Sequence, residues 1–175
     1  MGSSGFVKDR QTVTAEGERV DRLIDGVLQR AAKPHIDERG SLCEILSADW
    51  EGFRQPLVHA YEVVIRPGRV KGWVYHKIQS DRVYVCRGTI KCVLYDIREE
   101  SPTYRAVNEL YLSQEARSLV LIPPGVVHAL QNVGKDDALF INLPTHAYNY
   151  ASPDKFRLPL DSGEIPYRFN ASTGW

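Results

Sequence analysis

From residue 57 onward the chain alternates between short apolar stretches and clusters of turn-forming residues. Residues 57–65 are closed by Arg66-Pro67-Gly68, 70–77 by Gln79-Ser80-Asp81, and 82–86 by Arg87-Gly88. Residues 89–97 run into Arg98-Glu99-Glu100-Ser101-Pro102, and 106–112, 117–122 and 126–132 follow. A last stretch, 138–143, comes after Gly134-Lys135-Asp136-Asp137. These stretches are rich in β-branched and aromatic residues, and nothing between them has helical spacing. About eight strands recurring every ~8–12 residues predict an all-β sandwich or barrel.

The N-terminal third is less regular. Residues 1–19 are polar, with only Phe6 and Val13 able to pack, and are expected to form a loose arm. Val20, Leu23, Ile24, Val27 and Leu28 have helical spacing, interrupted by Gly26, and predict a helix. The turn cluster Asp37-Glu38-Arg39-Gly40 introduces an expected strand over 41–46. The barrel is assigned to 20–147. The tail, 148–175, is aromatic and punctuated by proline, and is expected to wrap the barrel as loops.

At 175 residues the chain fits one domain with a substantial core. Its 43% hydrophobic content and formal net charge of zero exclude disorder and argue against nucleic acid as a partner. No apolar run approaches the ~18 residues of a membrane span. The segment Met1 to Phe6 lacks the charged head and apolar stretch of a secretion signal, and Phe6 stands where a myristoylation signal carries Ser or Thr. Cys43, Cys86 and Cys92 are odd in number, form no C-x-x-C, and lie in strand-like contexts, so buried free thiols in a reducing cytoplasm are expected.

Candidate chemistry gathers at two places. The apolar run ending at Ile122 stops at Pro123-Pro124; Gly125 permits a reversal, and Val126-Val127-His128 restarts a strand. A histidine there is held by backbone on both sides at a barrel mouth. Val74 and His76, two apart on one strand, share a face. His76, Asp81 and His128 could form a two-histidine, one-carboxylate metal site suited to Fe(II) or a similar ion, or be hydrogen-bonded pocket residues. Arg39, Lys71 and Arg82 fall at strand ends or turns, where cations suit a diphosphate. Asp96 and Arg98 fit a structural ion pair. No phosphate loop, serine elbow or dinucleotide fingerprint is present.

The spacing Gly68 … Val74-Tyr75-His76 … Asp81 … Gly88 resembles the first cupin motif, with Val74 replacing a histidine and Asp81 a glutamate. Pro123, Gly125, His128 and Asn132 match the second in full. Across about 35–145 the chain resembles the dTDP-4-dehydrorhamnose 3,5-epimerase family of cupins. The resemblance is carried by Asp37-Glu38-Arg39-Gly40-Ser41-Leu42-Cys43-Glu44, by Asp96 to Tyr104, and by Leu112-Ser113 followed by 122–128.

The resemblance implies a single-domain, antiparallel jelly-roll barrel and a cytoplasmic homodimer that needs no metal or other cofactor. It also implies epimerisation beside the ketone of a nucleotide-linked 4-keto-6-deoxy sugar, by removal and return of an alpha proton. The family's base corresponds to Val74 and its acid, thirteen residues after His128, to Ile141; its cationic lysine corresponds to Arg82. No counterpart of its C-terminal carboxylate is legible in the tail. His76 is therefore the expected replacement base, with His128, Tyr148 and Tyr150 as candidate acids. Arg39, Glu44, His59, Tyr61, Lys71 and Arg82 make up the expected substrate-binding set. A sugar-nucleotide ketoisomerase is equally compatible. Two further readings remain: a metal-dependent cupin using His76, Asp81 and His128, and a catalytically silent sugar-nucleotide binder.

Overall fold

The computed structural model describes residues 7–17 and 19–170. Phe6 and the last five residues of the tail lie outside the described residues. Among the described residues twelve strands follow one another: β1 (Leu28–Ala31), β2 (His35–Asp37), β3 (Gly40–Leu42), β4 (Tyr61–Ile65), β5 (Val70–Tyr75), β6 (Asp81–Arg87), β7 (Thr89–Asp96), β8 (Val107–Ser113), β9 (Ser118–Ile122), β10 (Val126–Asn132), β11 (Ala138–Asn142) and β12 (Phe156–Arg157). They form two five-stranded sheets, ordered β1-β9-β6-β11-β4 and β12-β5-β10-β7-β8, with β2 and β3 as a separate hairpin. All pairings are antiparallel. The jelly-roll expectation holds.

Between the sheets lies an apolar core that includes Val83, Val85, Ile90, Leu94, Leu110, Ile122 and Phe140. Each sheet also has a covered outer face. Trp50 and Phe53 pack with Tyr84, Leu119 and Leu121 on one side. On the other, Leu158, Leu160, Ile165, Tyr167 and Phe169 cover Trp73, Val93 and Val127. This double covering is why β9 and β10 are buried at every residue rather than alternating. The tail is thus a third layer of the fold. The cysteines are free; Cys92 is buried, and Cys43 and Cys86 are half-buried.

The predicted helix over 20–28 is not formed, and no helix occurs among the described residues. Ile24 and Val27 are buried as the pattern required, but the backbone takes another partner: the Ile24 N–H donates to Asn108 Oδ1 at 2.7 Å. The Val27 N–H closes a turn onto the Ile24 carbonyl at 2.9 Å, Gly26 takes φ +77°, and β1 begins. The strand expected over 41–46 is replaced by the β2–β3 hairpin, and the one expected from 57 starts at Tyr61. Val13 is more than half exposed and bridges Arg19, so the described part of the arm makes little core.

Two of the sequence motifs prove to be architectural. Asp96 Oδ1 accepts from the Arg98 backbone and Nε, while Oδ2 accepts from Arg98 Nη2, Ser101 Oγ and Thr103 Oγ1 at 2.6–2.8 Å. The ion-pair reading of Asp96 and Arg98 is correct, and the Ser-Pro-Thr turn completes a sealed corner. Gly125 (φ +74°) closes it, because a Cβ there would stand 2.6 Å from Arg98 Cγ. Asn132 likewise ties loops, donating to the carbonyls of Ile65 and Asp136 and accepting from the Gly134 N–H.

An irregularity in β5 shapes the interior. His128 pairs with Val74, yet Leu130 pairs with Lys71, so β5 carries one extra residue against β10. Such a bulge changes which parity of side chains faces inward. Gly72, at φ +146°, sits within it, where a Cβ would be 2.4 Å from Ala129 Cβ. Lys71 and Val74 consequently both reach the inside, though a regular strand would send them to opposite faces.

Candidate active site

One end of the barrel interior remains open as a cavity. Its apolar wall is Val63, Val74, Val83, Leu130 and Phe140. The alternation along β6 explains part of the rest: Asp81, Val83 and Val85 point inward, and Arg82, Tyr84 and Cys86 outward. His128, third in β10, and His76, just past β5, converge on Asp81. Asp81 Oδ2 lies 3.2 Å from His76 Nε2 and 3.4 Å from His128 Nε2, and all three residues are buried. Gln79 Nε2 donates to Asp81 Oδ1 at 3.0 Å. His76 Nδ1 donates to the Asp154 carbonyl, which turns Nε2 toward the carboxylate.

Burial disfavours the charged forms in this cluster, but the partners outweigh it. The carboxylate and the Asp154 carbonyl raise the His76 pKa, and the two imidazoles hold Asp81 well below the usual carboxylate range. Three ligand atoms, one from each of His76, Asp81 and His128, lie within 4.8 Å of one another, a donor set that could hold a divalent ion.

Tyr61 and Asn142 form another wall. Asn142 Nδ2 donates to the Tyr61 hydroxyl at 2.7 Å, and burial followed by the Asp81 charge pushes the phenol up to about 12. Asn142 Oδ1 is buried with no hydrogen-bond partner. Opposite stand three cations: Lys71, Lys155 and Arg157. Burial and then the Arg157 charge lower both lysines. Lys155 and Arg157 arrive on the tail, where Arg157 pairs with Val74 and Phe156 with Tyr75. Beyond His76 the cavity meets a vestibule lined by His59, Tyr61, His146, Tyr148 and Lys155, among others.

Of the residues expected from sequence, His76, His128, Tyr61 and Lys71 are brought together in the cavity, and His59 and Tyr148 in the vestibule. Tyr150 is exposed and packs edge-on against Tyr148. Three others are elsewhere. Arg39 is 81% exposed at the hairpin tip, paired with Asp37 at 2.5 Å. Glu44 borders a separate groove beside β1. Arg82, expected at the mouth, is fully buried on the outward face of β6, donating to the carbonyls of Leu143, Gln55 and Pro56 at 2.7–2.9 Å. Ile141 also faces outward, packing in the outer cluster around Tyr84, whereas its neighbours Phe140 and Asn142 line the cavity.

Lys155, Arg157, Asn142, Gln79 and Asp154 were not singled out from sequence. The alternation Lys155-x-Arg157 was the one available signal, and a two-residue strand is too short to reveal it.

The barrel, with its buried His–Asp–His cluster and its cation wall, is that of a jelly-roll enzyme of the epimerase/isomerase class. A family model described as dTDP-4-dehydrorhamnose 3,5-epimerase matches residues 21–171, and the chain belongs to this family. The probable low-salt glycan biosynthesis epimerase Agl13 of Haloferax volcanii is 32% identical over 149 residues, covering 85% of this chain and 96% of that protein. Spore coat polysaccharide biosynthesis protein SpsL of Bacillus subtilis is 32% identical over 148 residues, covering 85% and 97%. A crystal structure of a dTDP sugar isomerase from Desulfovibrio desulfuricans superposes with a TM-score of 0.77 at 28% identity, covering 83% of this chain and 92% of that one.

Proposed function

We propose that this protein is a nucleotide-sugar epimerase that moves a proton on a carbon beside the ketone of a dTDP-linked 4-keto-6-deoxy sugar, in the making of a glycan. The observation that carries this reading is the lining of one cavity by a buried His–Asp–His cluster at one end and three cations along its side. An acidic C–H beside a ketone needs a base held in place. His76 fills that role: its Nδ1–H is committed to the Asp154 carbonyl, and Asp81 stabilises the imidazolium formed when Nε2 accepts the proton.

Tyr61 is the proton donor, since its phenol stays protonated and Asn142 donates onto its oxygen, leaving the O–H directed elsewhere. His128 shares the Asp81 carboxylate and holds it in line. Lys71, Lys155 and Arg157 face the diphosphate, with the arginine offering a bidentate fork. Asn142 Oδ1 accepts from a sugar hydroxyl. Tyr148 and His59 lie farther out, as walls of the entrance.

The deciding experiment is incubation with dTDP-4-keto-6-deoxyglucose in D2O, followed by NMR. Deuterium is expected at a carbon flanking the ketone, and His76→Gln is expected to slow its appearance about 10²–10⁴-fold with little change in dTDP affinity. No exchange by wild type with any 4-keto sugar nucleotide would refute the epimerase reading and favour a silent binder. The same enzyme is proposed to work in the cytoplasm as a homodimer. Supporting a second copy are the edge strand β1, exposed at all four residues, and the exposed Ile36 and Leu42 of the hairpin. Sedimentation at micromolar concentration tests it, and a monomer would overturn it.

A further inference from the structure

Asp154 makes an unusual number of contacts for a residue on a surface tail. Its Oδ1 accepts from the Lys77 N–H at 2.9 Å, and its Oδ2 from the Ile78 and Gln79 N–H groups at 2.8 and 3.0 Å. Its carbonyl accepts from His76 Nδ1. One residue of the tail therefore grips the whole turn that links β5 to the Asp81 end of β6.

The next three residues form a strap over the cavity. Lys155 and Arg157 line its wall, and Phe156, turned the other way, stacks on Tyr75 with ring centroids 5.0 Å apart. Along the backbone, two residue pairs and a further bond from the Leu158 N–H to the Trp73 carbonyl join the strap to the edge of β5, and the Phe156 ring adds its stack on Tyr75. All of 155–157 is exposed at the residue level. Short edge strands of this kind open easily, so the charged anchor at one end carries much of the closure.

We propose that Asp154 is a positioning residue whose carboxylate latches the strap shut while its carbonyl orients His76, so that one anchor sets both the ring and two of the three cavity cations. It acts on chemistry only through the nucleotide-sugar reading above; the latch itself stands on geometry. The consequence is linkage: an anion drawing Lys155 and Arg157 inward favours the closed strap, and the closed strap holds His76 in its working orientation.

The test compares wild type, Asp154→Ala and Asp154→Asn by hydrogen exchange at the Lys77, Ile78 and Gln79 amides, with and without dTDP. Loss of the carboxylate is expected to speed exchange there by about tenfold or more, the factor that one lost charge-assisted bond provides. Asp154→Asn keeps one acceptor oxygen and is expected to fall between, which preserves the test should the alanine variant not fold. Alanine keeps the carbonyl of residue 154, so in ¹⁵N-histidine-labelled protein the hydrogen-bonded Nδ1–H signal of His76 is expected to vanish in Asp154→Ala only if the carboxylate is what holds that carbonyl against the ring, while the signal of His128, whose Nδ1 faces the Val126 carbonyl, stays.

Added dTDP is expected to slow exchange at the three amides in wild type and to have no such effect in Asp154→Ala. Unchanged exchange at these amides in both variants, or an unaltered His76 signal, would overturn the latch. Equal dTDP protection in wild type and Asp154→Ala would overturn the linkage. If calorimetry shows that wild type does not bind dTDP at all, the nucleotide reading fails, and the ligand-free comparison still decides the latch.

Discussion

Replacing Arg82 separates two accounts of a single cation. By sequence it corresponds to a substrate-facing lysine; in the fold it is a buried clamp with its guanidinium spent on three backbone carbonyls, those of Leu143, Gln55 and Pro56. Arg82→Ala leaves those carbonyls without a donor and opens a void behind a fully buried side chain. Hydrogen bonds to a charged group are worth about 1.5–3 kcal/mol each. Such losses do not add in full, and removing one member of a buried charged arrangement typically costs about 3–5 kcal/mol. At roughly 2–4 °C per kcal/mol for a chain of this length, the melting temperature should fall by about 10 °C. Arg82→Lys should recover only part, because an ammonium is a point charge that cannot span all three acceptors. Thermal and urea unfolding measure the loss, and calorimetry with dTDP checks that affinity below the melting range is unchanged. A variant that melts like wild type but binds dTDP tenfold more weakly would refute the clamp and restore the phosphate contact.

Lys155→Ala and Arg157→Ala should each weaken dTDP binding by about tenfold, the worth of one charge-assisted phosphate contact, with melting temperatures nearly unchanged; titration calorimetry at two salt concentrations reads both the loss and its screening. Asp96 carries a pH signature. Its carboxylate is held well below the usual range despite burial, by Arg98, Ser101 and Thr103. Its contribution is therefore fully present above the unfolded carboxylate value near ~4 and is lost as pH falls from there toward the lower native value. Asp96→Asn should destabilise the protein at pH 7 and flatten the drop in stability below about pH 4, as measured by urea unfolding across pH.

The barrel was legible because strands of a two-sheet fold announce themselves twice, by apolar content and by the turns that end them. Residues 126–132 coincide with β10 to the residue, since Pro123-Pro124-Gly125 fixes one end and Gly134 the other. The failure at 20–28 has the opposite cause. Its apolar spacing is real and its residues are buried, but the side chain of Asn108, far along the chain, takes the Ile24 N–H that a helix would have used.

The site divides in the same way. Sequence alone determined that His76 lies two residues beyond Val74 on the same side of one strand and that His128 opens another just after a rigid turn, both bound for one mouth. Those are facts of local spacing, and period-2 geometry carries them into space. Tertiary structure decided the rest. A one-residue bulge at Gly72 brought Lys71 inside, whereas parity along β6 turned Arg82 outside. The two-residue strand β12 supplied Lys155 and Arg157, and Asp154 reached back 78 residues to hold His76. No local pattern encodes such contacts: a single residue of register changes which face a side chain occupies, and the partner that fixes the register lies in another part of the chain.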